Sequence, residues 1–201
     1  RAIAYDYWWN TRNTKAYLFN PSDATQKPVL LSDRNYQDRY SDPGRMVMER
    51  NDRGRLVLSM VDDRVFLIGD GFTDKGQFPF VDQLNLKTQE KKRIYQSEYT
   101  DKVEDIRDYD AKKSELLVRM ESPVEYPNYY FRSLQEDKLT QITYFDNPFE
   151  SIQNVHKEVI HYKREDGLDL SGTLYLPVGY DKEKKEKRPM IMWAYPTEFK
   201  D

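Results

Sequence analysis

Apolar positions along this chain fall into short runs, most of them alternating with polar residues, and a sustained 3.6-residue period is nearly absent. This pattern predicts strands near residues 2–7, 15–19, 29–32, 46–49, 55–60 and 64–68. Others follow near 80–86, 92–96, 103–109, 115–119, 128–133 and 139–145. Between them stand turn residues: Asn20-Pro21-Ser22-Asp23, Asn51-Asp52-Arg53-Gly54, Asp62-Asp63 and Gly69-Asp70-Gly71. Many short strands at this spacing define a mainly β chain built as a sandwich, barrel or propeller.

A weak repeat favours the propeller. Three segments read as an outgoing strand, a polar turn and a returning strand, and they align on Phe19, Leu86 and Leu134 at spacings of 67 and 48 residues. The second spacing matches the roughly 40–50 residues of a four-stranded blade. The first needs an insertion, which the polar stretch 35–53 can supply. An apolar strand such as 115–120 between amphipathic hairpins fits a blade, whose inner strands are covered on both faces. The expectation is a partial β-propeller of about three four-stranded blades over residues 1–145.

The pattern changes after Phe145. Residues 146–152 form a turn-rich linker, with one helical turn expected within 150–157. A hairpin follows, 159–163 with 170–177, apolar at Leu170, Leu174 and Leu176. Then come a charged loop at 181–187 and an apolar strand at 190–193, which needs neighbours on both sides. Residues 153–201 thus read as the first strands of a second domain, and the chain as a piece of a longer protein.

Composition narrows the chemistry. The 201 residues contain no cysteine, which excludes disulfides, thiolate metal sites and a cysteine nucleophile. With 32 basic and 35 acidic side chains the net charge is −3, against a phosphate-tracking surface and hence against nucleic acid. No apolar run approaches the roughly 18 residues of a membrane span. Absence of cysteine suits cytoplasm and periplasm alike, and a periplasmic or secreted parent is favoured.

His156 and His161, the only histidines, have Glu150 and Glu158 nearby but no recognised metal-ligand spacing. Ser151 and Ser171 lack a nucleophile elbow. In Asp70-Gly71-Phe72-Thr73-Asp74-Lys75-Gly76, Phe72 stands where a calcium loop needs an oxygen. No metal and no cofactor is expected. The aromatic run Tyr126 to Phe131 reads as a blade strand rather than a ligand platform. If acidic ligands are bound, the candidate cations on propeller loops are Arg12, Arg39 and Arg132, among which the sequence does not choose.

The junction carries a resemblance. Leu139-Thr140 with Phe145 and Asn147-Pro148 leads to Tyr162-Lys163-Arg164-Glu165-Asp166-Gly167, then to Leu170-Ser171-Gly172-Thr173-Leu174-Tyr175-Leu176-Pro177 with Gly179-Tyr180. Arg188-Pro189 and a strand ending Trp193-Ala194-Tyr195-Pro196-Thr197-Glu198-Phe199-Lys200 complete it. Over about 60 residues this resembles the prolyl oligopeptidase family of serine peptidases, where a β-propeller passes into an α/β-hydrolase domain, and within it the glutamyl endopeptidase branch. The resemblance implies a Ser–Asp–His triad with the serine in a G-x-S-x-G elbow. The sequence contains no such elbow, so the triad is expected beyond Asp201 and the chain alone is expected to be inactive.

The resemblance also implies that Tyr195 is an oxyanion donor. Pro196-Thr197 departs from the Pro-Gly of the glutamyl branch there, and a strand-end tyrosine packed against the propeller is the other reading. The implied partner is a peptide substrate. Unpaired strand edges further predict self-association of the isolated chain. A non-enzymatic β-propeller or sandwich that binds proteins or glycans, and a homologue that has lost its triad, remain the rival readings.

Overall fold

The computed structural model describes residues 1–184 and 186–194. They divide into two units, one holding residues 1–122 and 127–145, the other 123–126 and 146–194. The described residues are mainly β, with a single 3₁₀ turn and no α-helix.

In the first unit, β1 (Ala2–Trp8), β2 (Asn13–Phe19) and β3 (Val29–Asn35) form an antiparallel meander in sequence order. The second sheet begins with β4 (Arg45–Met46). The chain then makes a small hairpin of β5 (Met48–Arg50) and β6 (Leu56–Leu58), and returns through β7 (Met60–Val61) to β8 (Arg64–Gly69). A short hairpin, β9 (Phe72–Thr73) with β10 (Gly76–Gln77), leads to β11 (Phe80–Asn85) and β12 (Lys91–Gln96). The sheet order is β12-β11-β8-β4, with β7 also pairing β8. The third sheet is a four-stranded meander of β13 (Val103–Asp110), β14 (Glu115–Glu121), β15 (Asn128–Ser133) and β16 (Lys138–Gln141).

The burial of β8 shows why these sheets stack. Its side chains alternate between faces, yet Val65, Phe66, Leu67 and Ile68 are all buried. Val65 and Leu67 join Leu18, Leu84 and Leu86, packing the first meander on the second. Phe66 and Ile68 join Val81, Ile106, Leu116 and Val118, packing the second on the third. The unbroken apolar run of β8 is therefore the mark of a strand covered on both sides. By contrast β2 buries only Thr14, Ala16 and Leu18, one face of its alternation.

Three departures from the sequence pattern have local causes. The polar insertion after Asn35 contains its own hairpin, β5–β6, so the predicted strands at 46–49 and 55–60 are each broken in two. Strand β16 ends at Gln141 rather than 145, because the following residues bond to Asn128 instead of extending a ladder. The Asn128 Oδ1 accepts from the Thr143 hydroxyl at 2.9 Å and from the Phe145 amide at 2.8 Å. Third, residues 190–193 form no strand, and their side chains are exposed.

The second unit, taken by itself, holds the 3₁₀ turn Glu150–Ile152 and the hairpin β17 (His156–Lys163) with β18 (Asp169–Leu176). The turn is fixed by Gly167 at φ +87°, whose amide bonds the Arg164 carbonyl at 2.9 Å. Leu170, Leu174 and Leu176 fall on one face of β18 with Gly172, half-buried, while Ser171, Thr173 and Tyr175 are exposed.

Candidate functional site

Polar and aromatic groups concentrate at two places in the first unit. One is a cavity of about 1220 Å³ beside the first meander. Strand alternation puts Tyr5 and Tyr7 on one face of β1, and the register sets Tyr7 opposite Thr14, and Thr14 opposite Arg34. All four line the cavity, with Tyr36 beyond them. The rings of Tyr5 and Tyr7 stack at 6.3 Å, and Tyr7 meets Tyr36 edge-on at 6.3 Å. Burial, and then the neighbouring Tyr7, pushes the Tyr5 phenol up. The buried Thr14 hydroxyl has no hydrogen-bond partner among the described residues. Arg34 is committed to Asp42 at 2.9 Å and to the carbonyls of Asn35 and Asp38.

The second place is the rim formed by the β1–β2 turn and the two loops joined to it. Arg12 closes the turn with φ +57°, a left-handed conformation uncommon for a long side chain. Its carbonyl accepts from the Tyr36 amide at 2.7 Å, tying the turn to the loop after β3. Its guanidinium lies 3.9 Å over the Trp9 ring. Arg12 Nη1 donates to the Trp9 carbonyl at 3.1 Å and to the Tyr36 hydroxyl at 3.3 Å. Further along, Arg39 Nη2 bonds Asp70 at 2.8 Å and lies over Phe72. Gly71 lets the chain turn there, because a Cβ would sit 1.8 Å from the Phe78 carbonyl oxygen.

The three candidate arginines thus have different fates. Arg39 is paired with Asp70. Arg132 is half of a buried network: its Nε donates to Glu104 at 3.0 Å and its Nη2 to the Tyr99 hydroxyl at 2.9 Å. Glu104 also accepts from the Tyr95 hydroxyl at 2.6 Å. Burial and this bond push the Tyr95 phenol well above its usual range. Burial opposes the charge of Arg132, but Glu104 and the two phenols outweigh it and raise its pKa. Arg12 alone of the three has no carboxylate partner among the described residues. Sequence reasoning found Arg132 but not Glu104 or Asn128, whose roles depend on partners far along the chain.

The remaining candidates are dispersed. Asp70 is taken by Arg39, while Thr73 closes the β9–β10 turn on the Gly76 carbonyl. His156 and Lys182 both meet Glu158 Oε2, at 3.1 and 2.7 Å, and hold its carboxyl below the usual range, Lys182 contributing more. His161 and Ser171 are cross-strand partners, and no side-chain hydrogen bond joins them. Ser151 lies in the 3₁₀ turn. Of the aromatic run, Tyr129, Tyr130 and Phe131 are part of β15 in the third sheet, and Tyr126 lies outside that strand. Tyr195 lies outside the described residues.

No family model matches the sequence. Two curated relatives do, both named "Probable glutamyl endopeptidase, chloroplastic". The protein from Arabidopsis thaliana is 36% identical over 214 positions, covering 99% of this chain and 22% of its own length. The one from Oryza sativa subsp. japonica is 34% identical over 215 positions, covering 99% of this chain and 23% of its own length. Among solved structures, the apo AtxE2 isopeptidase superposes with a TM-score of 0.45 at 11% identity, over 89% of this chain and 24% of that one. Oligopeptidase B from Trypanosoma brucei, in a closed form with covalently bound antipain, gives 0.44 at 11%, over 90% and 33%.

By sequence the chain is similar to one stretch of prolyl oligopeptidase-family peptidases. Within that family the similarity is to glutamyl endopeptidases, along the whole of this chain. The chain spans about a fifth of the length of these relatives, at 22 and 23%.

Proposed function

We propose that this chain is the late-propeller and junction segment of a serine peptidase that cleaves peptides in the manner its relatives' name describes. The observation that carries the reading is identity to both relatives over 99% of the chain, on both sides of the boundary between the two units. The stacked antiparallel meanders of the first unit have the form of propeller blades. Residues 153–201 then begin the α/β-hydrolase domain, with 146–152 as linker.

On this reading the propeller is a filter. It covers the hydrolase site, admits extended peptides, excludes folded proteins, and contributes loop contacts to the substrate. Excluding water there strengthens every hydrogen bond to the developing oxyanion. Tyr195 is the contribution of this chain to the chemistry. Its phenol O–H is the proposed donor to the oxyanion, and one such donor is worth about 2.7–4 kcal/mol of barrier. The nucleophile, base and orienting acid come from outside the chain, which has no G-x-S-x-G. The peptide is the partner; nucleic acid and membrane are not. The free edges of β1 and of the β17–β18 hairpin favour self-association of the isolated piece.

A fluorophosphonate probe tests this directly. The product of the full reading frame is expected to label, and the 201-residue chain is not. A folded full-length product that does not label would refute the peptidase and leave an interaction module.

A further inference from the structure

We propose that Met46, with Met48 and Met60 beside it, is a peroxide-sensitive modification site whose oxidation loosens the docking of the first meander on the second sheet. The chain has six methionines, and three of them line the cavity of about 1220 Å³ beside the first meander. The ladders place them there. Met46 stands opposite Leu67 and Met60 opposite Val65, two positions apart on one face of β8, and Met48 stands opposite Leu58. Their chain neighbours fix which face this is. Val47 and Val61 pack with Phe66 and Ile68, toward the third sheet, whereas Met46 and Leu58 pack with Leu18, Val65 and Leu67, toward the first meander.

The three differ in their surroundings. Met48 and Met60 are 42 and 50% exposed, so an oxygen added to either sulfur stays in water. Met46 is half-buried and packs on the apolar cluster that also takes Ile3 from β1 and Val29 from β3. It is therefore both reachable from the cavity and part of the contact between the sheets. Hydrogen peroxide transfers one oxygen atom to such a thioether. Its O–O bond breaks, an S–O bond forms, sulfur loses two electrons and the peroxide leaves as water. The sulfoxide replaces a soft apolar group by a polar one with a strong acceptor oxygen. Leu18, Leu67, Leu84 and Leu86 carry no side-chain donor for that oxygen, and a polar group left unpaired against them weakens the contact. Met120, 6% exposed and packed with Leu116 and Val118, is shielded. Met190 and Met192, in the second unit, are exposed but take no part in this cluster.

The test is graded hydrogen peroxide treatment of the 201-residue chain. Peptide mass spectrometry locates each sulfoxide, and urea unfolding followed by circular dichroism reads stability. Met48, Met60, Met190 and Met192 are expected to oxidise first, Met46 later and Met120 last. The urea midpoint is expected to hold until Met46 is converted and then to fall by about 0.5–1 M. Methionine sulfoxide reductases of both stereospecificities, with a thiol reductant, are expected to restore it. Met46→Leu conserves volume; it is expected to keep a midpoint close to the parent's and to lose nothing at the same peroxide dose. The double variant Met48→Leu, Met60→Leu is expected to stay sensitive. Equal sensitivity of Met46→Leu and the parent overturns the proposal, because the lesion then lies elsewhere. So does full conversion of Met46 with an unchanged midpoint, or a Met46 that oxidises no faster than Met120. The parent's own dose response decides the matter if Met46→Leu does not fold.

Discussion

Replacing Glu104 by glutamine isolates one charge at the packing between the second and third sheets. The Glu104 side chain is 0% exposed and that of its partner Arg132 11%. One carboxylate oxygen takes the Arg132 Nε and the other the Tyr95 hydroxyl. The amide keeps the shape but has a single acceptor oxygen, so one of these bonds is lost and Arg132 stays buried with no countercharge. Breaking a buried pair on one side costs about 3–5 kcal/mol. The remaining amide bond and the slight exposure of Arg132 favour the low end, about 3 kcal/mol. With a urea m-value of about 2 kcal/mol/M, the midpoint falls by about 1.5 M.

Equilibrium urea unfolding, followed by tryptophan fluorescence and circular dichroism together, measures it. Glu49→Gln is the control, because Glu49 is half-buried and pairs at 3.4 Å with an exposed Lys112, and such surface pairs are worth at most about 1 kcal/mol. If Glu104→Gln does not fold, Tyr95→Phe removes only one bond to the carboxylate and is expected to cost about 1.5 kcal/mol. Equal midpoints for Glu104→Gln and Glu49→Gln would show that the network contributes nothing and that the reasoning is wrong.

Two further outcomes follow from the same structure. Gly71→Ala is expected to destabilise by about 3 kcal/mol or more, since its Cβ meets the Phe78 backbone; Gly54→Ala, also at positive φ (+71°) but in open space, costs about 1 kcal/mol by thermal unfolding. Stability is also expected to fall as pH rises above 10. The Tyr95 phenol is raised in the folded chain by burial and by its bond to Glu104, so the unfolded chain releases that proton first, near the usual 10.0, and gains from it. Below that pH the contribution is fully present. Tyr95→Phe should flatten the alkaline limb of a stability–pH curve, and an unchanged slope would contradict the assignment.

Much of the fold is legible along the chain, because burial imprints itself on local pattern. Strand β8 reads as an unbroken apolar run, covered on both faces, and β2 as an alternation, covered on one. What is not legible depends on distant partners. Glu104 and Arg132 stand 28 residues apart, Arg39 and Asp70 31, and no local periodicity announces either pair. The same holds for residues 190–193: an apolar run has the propensity for a strand, but a strand is a pairing, and composition does not supply the neighbour. At the rim, sequence narrowed the cations to three, and only the donor geometry of each guanidinium separates Arg12 from the rest.

The connectivity of the first unit bears on how it assembles. Except where β8 meets β4 and β11 across inserted hairpins, each strand in its three sheets pairs with strands adjacent in sequence. β-rich chains usually fold slowly because distant segments must meet before any contact rewards the search. Here a ladder such as β15–β16 closes over the few residues between Ser133 and Lys138. Each meander can therefore set its own register while later ones are still being made on the ribosome, and the slow step becomes the docking of finished sheets across the side chains of β8.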